Sequence, residues 1–190
     1  MGSSESGAIL RAERERGVLR ILVDADACPV KQDIYKVAER YQLKVLLVAA
    51  VSMKHPRNDW LTMVAVGQGF DEADDWIVDN CEWGDIVVTT DIPLAARCLE
   101  KEAWVLSPKG KIFDEESMGS TLGTRELMTS LRDMGRLTPG PAPFTVRDHS
   151  RFLERLDRVI QQVKKAMRRK GIPEPGKKES AGGEEKGTTE

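Results

Sequence analysis

Hydrophobic positions along the chain follow two alternating rhythms. Residues 18–23 (VLRILV) form a short, mostly apolar run, the pattern of a strand buried on both faces of a sheet. Pro29 suits a helix start, and Ile34, Val37, Ala38 and Tyr41 then recur at helical spacing. Residues 44–51 (KVLLVAAV) predict a second strand and 61–66 (LTMVAV) a third, ended by Gly67 and Gly69. A helix is predicted from about Glu72, with Ala73, Ile77 and Cys81 on one face. Residues 85–90 (DIVVTT) predict a fourth strand, 93–101 a helix, and 103–106 a short fifth strand. Strands alternating with helices predict an α/β fold, a doubly wound and mostly parallel sheet of about five strands. Beyond the sheet, 124–134 and 147–169 predict additional C-terminal helices, joined by the stiff loop TPGPAPFT.

Both ends of the chain break this rhythm. Residues 1–17 are small, polar and mixed in charge, and 171–190 lack aromatic residues, with Ile172 as the one large aliphatic. Stretches that bury so little cannot offset ordering entropy, so the expectation is two flexible tails around one domain over 18–170. With 40% hydrophobic residues, that domain can build a core without a metal or disulfide staple. No run of 18 apolar residues predicts a membrane span, and the opening residues lack the apolar stretch of a signal peptide. Three cysteines (Cys28, Cys81 and Cys98) are too few and too scattered for a disulfide framework or a zinc site. A reducing, cytoplasmic address is expected.

Acidic residues collect where strands are predicted to end. Asp24 and Asp26 follow the first apolar run, and residues two apart on an extended backbone project to the same side. Asp91 holds the corresponding place after the fourth strand, and Asp71, Glu72, Asp74 and Asp75 cluster at a helix start. Asp71 has helix-face spacing with either Asp74 or Asp75. Each group has a structural explanation, because acidic residues cap helix N-termini. Three such groups meeting at the carboxyl ends of strands, where open α/β sheets place their ligands, point instead to a shared site. Clustered carboxylates repel one another and need a cation or protons to persist. Hard oxygen donors with few histidines fit Mg²⁺ or Mn²⁺, which suits phosphate chemistry.

Other candidates are weaker. His55 and His149 make no ligand set, and the three cysteines are expected in the core. Trp76, Trp83 and Trp104 are expected to pack, while Trp60 follows a basic loop and could stack a base. No phosphate-binding glycine loop with a following Lys-Ser/Thr is present.

The motifs DADACP (24–29), GFDEADDWIV (69–78), TTDIPLA (89–95) and TRELMTSLRDMG (124–135) closely resemble the YaiI/YqxD family of uncharacterised bacterial proteins, over roughly residues 19 to 160. That family is grouped with PIN-like domains, so the resemblance implies a PIN-like sheet gathering carboxylates around one or two divalent metals for nucleic-acid cleavage. By this resemblance Asp24 takes the first-strand ligand position, Asp26 the second carboxylate, Asp71 and Asp74 the GFD-x-AD positions, and Asp91 the T-x-D aspartate. The segment 69–75 with Thr90-Asp91 also looks like the acidic helix and next strand end of flap-type 5′-nucleases. Those enzymes open the acidic helix one residue sooner, which leaves Asp71, Glu72 and Asp75 as alternatives for one ligand position.

The expected activity is metal-dependent phosphodiester hydrolysis, of RNA ahead of DNA, with Asp24, Asp26, Asp74 and Asp91 as its catalytic carboxylates and Asp71 and Asp75 completing the metal site. Two rivals stand beside it. One is a PIN-like module that binds RNA or protein without cutting. The other is an aspartate-nucleophile phosphatase with Asp24 and Asp26 as nucleophile and acid/base, although Cys28 stands where that similarity wants Thr or Val. The formal net charge of −2 hides an asymmetry relevant to all three. Residues 18–124 carry 11 basic and 18 acidic side chains, whereas 125–170 carry 12 basic and 5 acidic. Within the basic part Arg125, Arg132, Lys164, Lys165 and Arg168 are the candidate contacts to a nucleic-acid backbone.

Overall fold

The computed structural model describes residues 18–26, 28–69, 71–114, 118 and 144–172. In chain order its elements are β1 (Arg20–Asp24), α1 (Lys31–Tyr41), β2 (Lys44–Ala49), β3 (Leu61–Ala65), α2 (Glu72–Asn80), β4 (Ile86–Val88), α3 (Ile92–Glu100), β5 (Trp104–Leu106), β6 (Ile112–Phe113) and α4 (Val146–Arg169). The predicted helix over 124–134, most of the loop after it, Arg125, Arg132 and the two predicted tails lie outside the described residues, apart from Gly171 and Ile172.

One six-stranded sheet has the order β3-β2-β1-β4-β5-β6, parallel throughout except for β6, which runs antiparallel to β5. This is the α/β, doubly wound architecture expected, with one more strand. β6 is two residues long, too short to show a period, and a turn through Ser107–Gly110 folds it back: Ser107 N donates to Lys111 O at 2.8 Å, and Gly110 takes φ +80°. β2 and β3 are parallel neighbours joined by residues 50–60, which contain no helix.

Strand alternation sorts the core into two layers. Ile21 and Val23 of β1, Val45 and Leu47 of β2, and Ile86 and Val88 of β4 face α1 and α4. Leu22, Leu46 and Val87 face α2 and α3, against Ile77, Val78, Leu94 and Cys98. Both faces are fully covered, which is why these strands read as continuous apolar runs. α4 buries Phe152, Leu156, Val159, Ile160, Val163 and Met167 on one side at helical spacing. Its start is fixed by a capping box, in which Thr145 accepts from Asp148 N and the Asp148 side chain accepts from Thr145 N.

Contacts at its two ends fix the direction of α4 across the sheet. Near its start His149 Nδ1 lies 2.5 Å from Asp33 Oδ2, in the first turn of α1 and so beside the carboxyl end of β1. Near its end Met167 shares a cavity with Leu19, Trp83 and Asp85, at the amino ends of β1 and β4, and Lys170 stacks over Trp83 at 3.9 Å. The helix therefore runs from the carboxyl edge of the sheet to its amino edge.

Candidate carboxylate site at the strand ends

Strand order reverses between β1 and β4, and in a doubly wound sheet the carboxyl ends of two such strands frame a crevice. Asp24 closes β1. Alternation from Leu22 turns it toward the α2/α3 side, and Thr89, just past β4, follows Val87 to that side. The register that pairs Val23 with Val88 brings the next two residues together. The buried Thr89 hydroxyl donates to Asp24 Oδ2 at 2.9 Å and accepts from Asp91 N, also at 2.9 Å.

Asp91 is the N-cap of α3, and its Oδ1 accepts from Leu94 N at 2.8 Å. The capping explanation thus holds for Asp91, although the same residue acts electrostatically on both Asp24 and Asp74. It does not hold for Asp71 or Asp26. Asp71 stands at the N-cap of α2 with φ +57° and makes no side-chain cap bond. Asp26 lies exposed in the turn after β1 and accepts from Ala50 N at 3.0 Å, so the expected extended spacing from Asp24 is not kept, although Asp26 stays near enough to act on it.

Asp74 shares the face of α2 that buries Ile77 and Val78, at i, i+3 and i+4. Burial pushes its carboxyl up to about 6, helped by the negative charges of Asp91, Asp24 and Asp71, while Arg97 pulls the other way. Asp24 is raised for the same reasons: burial first, then the charges of Asp26 and Asp91, opposed by the Thr89 hydrogen bond and by Lys31. The three acidic residues that the sequence leaves as alternatives separate here. Asp75 is exposed and pairs with Arg97 at 2.6 Å. Glu72 folds back over the Gly67–Gly69 turn, where a side-chain carbon at Gly67 would come within 2.5 Å of Glu72 Oε2. Of the three, Asp71 is among the charges that raise Asp74.

Sequence reasoning passes over Lys31 and Thr89. Lys31 opens α1, donates to Ala25 O at 2.8 Å and supplies the positive charge nearest in effect to Asp24. Its one signal in the sequence is its place two residues after the DADACP motif. Among the described residues no three His, Cys, Asp or Glu side chains are gathered closely enough to enclose a metal ion. The donor chemistry still fits Mg²⁺, which commonly takes one or two carboxylates and keeps its waters or binds substrate phosphates.

Of the basic candidates, Lys164, Lys165 and Arg168 are not at this site. Lys164 lies over the Tyr41 ring at 4.8 Å, at the far end of α1, and Lys165 and Arg168 follow it toward the amino edge. Trp60 packs on Tyr35, ring centroids 6.0 Å apart, half-buried against the core. All three cysteines are buried, with burial pushing the Cys28 thiol up to about 11. Among the described residues no helix is long and apolar enough to cross a membrane.

A doubly wound α/β protein with carboxylates meeting at its topological switch point is the class these observations define. The chain belongs to the uncharacterised YaiI/YqxD family, whose model matches residues 22–162. It is 51% identical over 154 residues to a UPF0178 protein of Rhodopseudomonas palustris, covering 81% of this chain and 96% of the relative. A UPF0178 protein of Bradyrhizobium sp. is 50% identical over 151 residues, 80% of this chain and 92% of the relative. One of Nitrobacter winogradskyi is 48% identical over 148 residues, 78% and 94% of the two chains. No solved structure matches the chain.

Proposed function

We propose that the chain is a Mg²⁺- or Mn²⁺-dependent phosphodiesterase acting on nucleic acid, with RNA the first substrate to test. The observation that carries this reading is the gathering of negative charge where β1 and β4 end and α2 begins: Asp91 and Asp24 raise the Asp74 carboxyl, and Asp26 and Asp91 raise that of Asp24. Half-buried carboxylates whose proton affinity is raised by neighbouring negative charges are costly in a protein with no use for them, and a hard cation relieves that cost.

In this reading Asp24, Asp74 and Asp91 hold the cation directly or through water, with Asp26 and Asp71 at its margin. The bound ion supplies an acidified water and charge neutralisation at the phosphate. Thr89 fixes the rotamer of Asp24 while securing the Asp91 backbone. Lys31 sets the β1–α1 turn by its bond to Ala25 O and offers a positive charge to an incoming phosphate.

The test is cleavage of labelled RNA and DNA oligonucleotides by the wild type and by Asp24→Asn, with Mg²⁺, Mn²⁺ or EDTA. Cleavage that needs the metal and falls at least a hundredfold in the variant supports the proposal. Tight binding without cleavage under all conditions would favour a non-catalytic binding module instead.

A further inference from the structure

One sector of the outward side of α4 carries basic residues and no acidic one. At 3.6 residues per turn, Arg147, Arg151, Arg155, Arg158, Lys165 and Arg169 fall within a sector about 80° wide, a stripe about 33 Å long. Five of the six are exposed and Arg155 is half-buried. The acidic residues Glu154 and Asp157 lie on the other edge, where they line a groove with Lys36 and Arg40 of α1, and Arg40 pairs with Asp157 at 2.5 Å. Among the described residues Arg151 alone of the six makes an ion pair, to Asp148 at 3.6 Å.

Such a stripe works against the helix that carries it. Arg147 with Arg151, Arg151 with Arg155, and Lys165 with Arg169 are like charges at i, i+4, each destabilising by a few tenths of a kcal/mol. Its apolar side is already spent on the core, so no face remains to sink into a lipid surface or a hydrophobic peptide groove. An extended polyanion is the partner that fits a long, narrow, single-signed track.

We propose that this face of α4 is a docking track for a nucleic-acid phosphodiester backbone, used without reading base sequence. Because α4 begins beside the first turn of α1, at the carboxyl edge of the sheet, a strand lying on the track leads up to the edge that holds Asp24 and Asp91. The track deepens the phosphodiesterase reading and rests on it for that direction, but its test reads binding alone.

The experiment is fluorescence anisotropy of a 30-nucleotide RNA and a 30-nucleotide DNA with the full chain, without divalent cations, between 50 and 200 mM salt. The Arg151→Glu/Arg158→Glu variant is expected to bind both at least tenfold more weakly, with a log–log salt slope shallower by about 2. Lys36→Glu/Lys101→Glu, which makes the same change in net charge elsewhere, is expected to stay within twofold of wild type. Arg151→Gln/Arg158→Gln repeats the test should charge reversal disturb folding, read by thermal unfolding. Equal losses in both pairs, no loss in either, or no binding by the wild type would overturn the track. So would an acidic polypeptide such as polyglutamate binding as tightly as RNA. Because the assay contains no divalent cation and reads binding alone, lost cleavage and lost docking are separate results.

Discussion

The Thr89 hydroxyl sits 2.9 Å from Asp24 Oδ2, joining the carboxyl ends of the two strands between which the sheet reverses its order. The same oxygen accepts the Asp91 amide, so one buried side chain holds both strand-end aspartates.

Thr89→Val keeps the shape of that side chain and removes both hydrogen bonds. Residues that orient metal-binding carboxylates usually contribute about 10–100-fold to affinity or activity, and a loss of that size is expected here. Because the Thr89 bond lowers the Asp24 pKa, the variant should also shift the acid limb of a pH–rate profile toward higher pH, whereas Thr89→Ser should restore both. Steady-state cleavage rates across pH would check this. A loss of rate with an unmoved profile would make Thr89 a packing residue only.

Asp74 makes the metal-free protein less stable at neutral pH than in mild acid. Its carboxyl keeps its proton up to about pH 6 in the folded chain, against an ordinary value of 3.8. Between those values the folded state binds more protons, so stability falls as pH rises through the window and is level above it. Asp74→Asn removes the ionisable group. It is expected to raise Tm by about 2–4 °C at pH 7.5, the shift given by about 1 kcal/mol in a domain of this size, after allowing for solvent screening. At pH 4 the gain should vanish. Differential scanning fluorimetry at the two pH values measures it, and an equal gain at both would show that the charge is not the cause.

A cation at the cluster should reverse that penalty. Millimolar Mn²⁺ is expected to raise the Tm of the wild type at pH 7.5 and to have a smaller effect on Asp24→Asn and Asp74→Asn, since each lacks one of the charges the ion neutralises. Calorimetric titration with Mn²⁺ gives a second readout. The same stabilisation in all three proteins would place the ion elsewhere.

The parallel strands are legible because sheets covered on both faces leave continuous apolar runs, and α4 because its buried stripe persists over about four turns. The meeting of Asp24, Asp74 and Asp91 is legible in outline from the rule that ligands gather at strand carboxyl ends. Thr89 is not, since its role depends on β1 and β4 being neighbours, and strand order leaves no trace in periodicity. The same limit misplaces the positive charge. Lys164, Lys165 and Arg168 stand out as a cluster along the chain, yet the course of α4 carries them to the amino edge, away from the carboxylates. The stripe that starts at Arg147 is spread at intervals of three, four and seven residues and forms no run in the sequence.

At that amino edge lies an ion pair whose contribution belongs to the fold alone. Arg20, the charged residue in the middle of the sheet, is 1% exposed, and its Nε donates to Asp85 Oδ1 at 2.9 Å, with a further Nη2–Oδ2 bond and an Nη2 bond to Asn80 O at 3.1 Å. Burial pushes the Asp85 carboxyl up, and Arg20 opposes it. Arg20→Met would leave Asp85 buried without its counter-charge, which costs about 3–5 kcal/mol, whereas Arg20→Met/Asp85→Leu removes both charges and should recover much of the loss. Urea denaturation of the two variants and the wild type gives the comparison. If the double variant is no more stable than Arg20→Met, the pair is not what holds β1 to β4 at this edge. Any cleavage activity per folded molecule should be unchanged in both, because Asp24 and Asp91 lie at the opposite ends of the same strands.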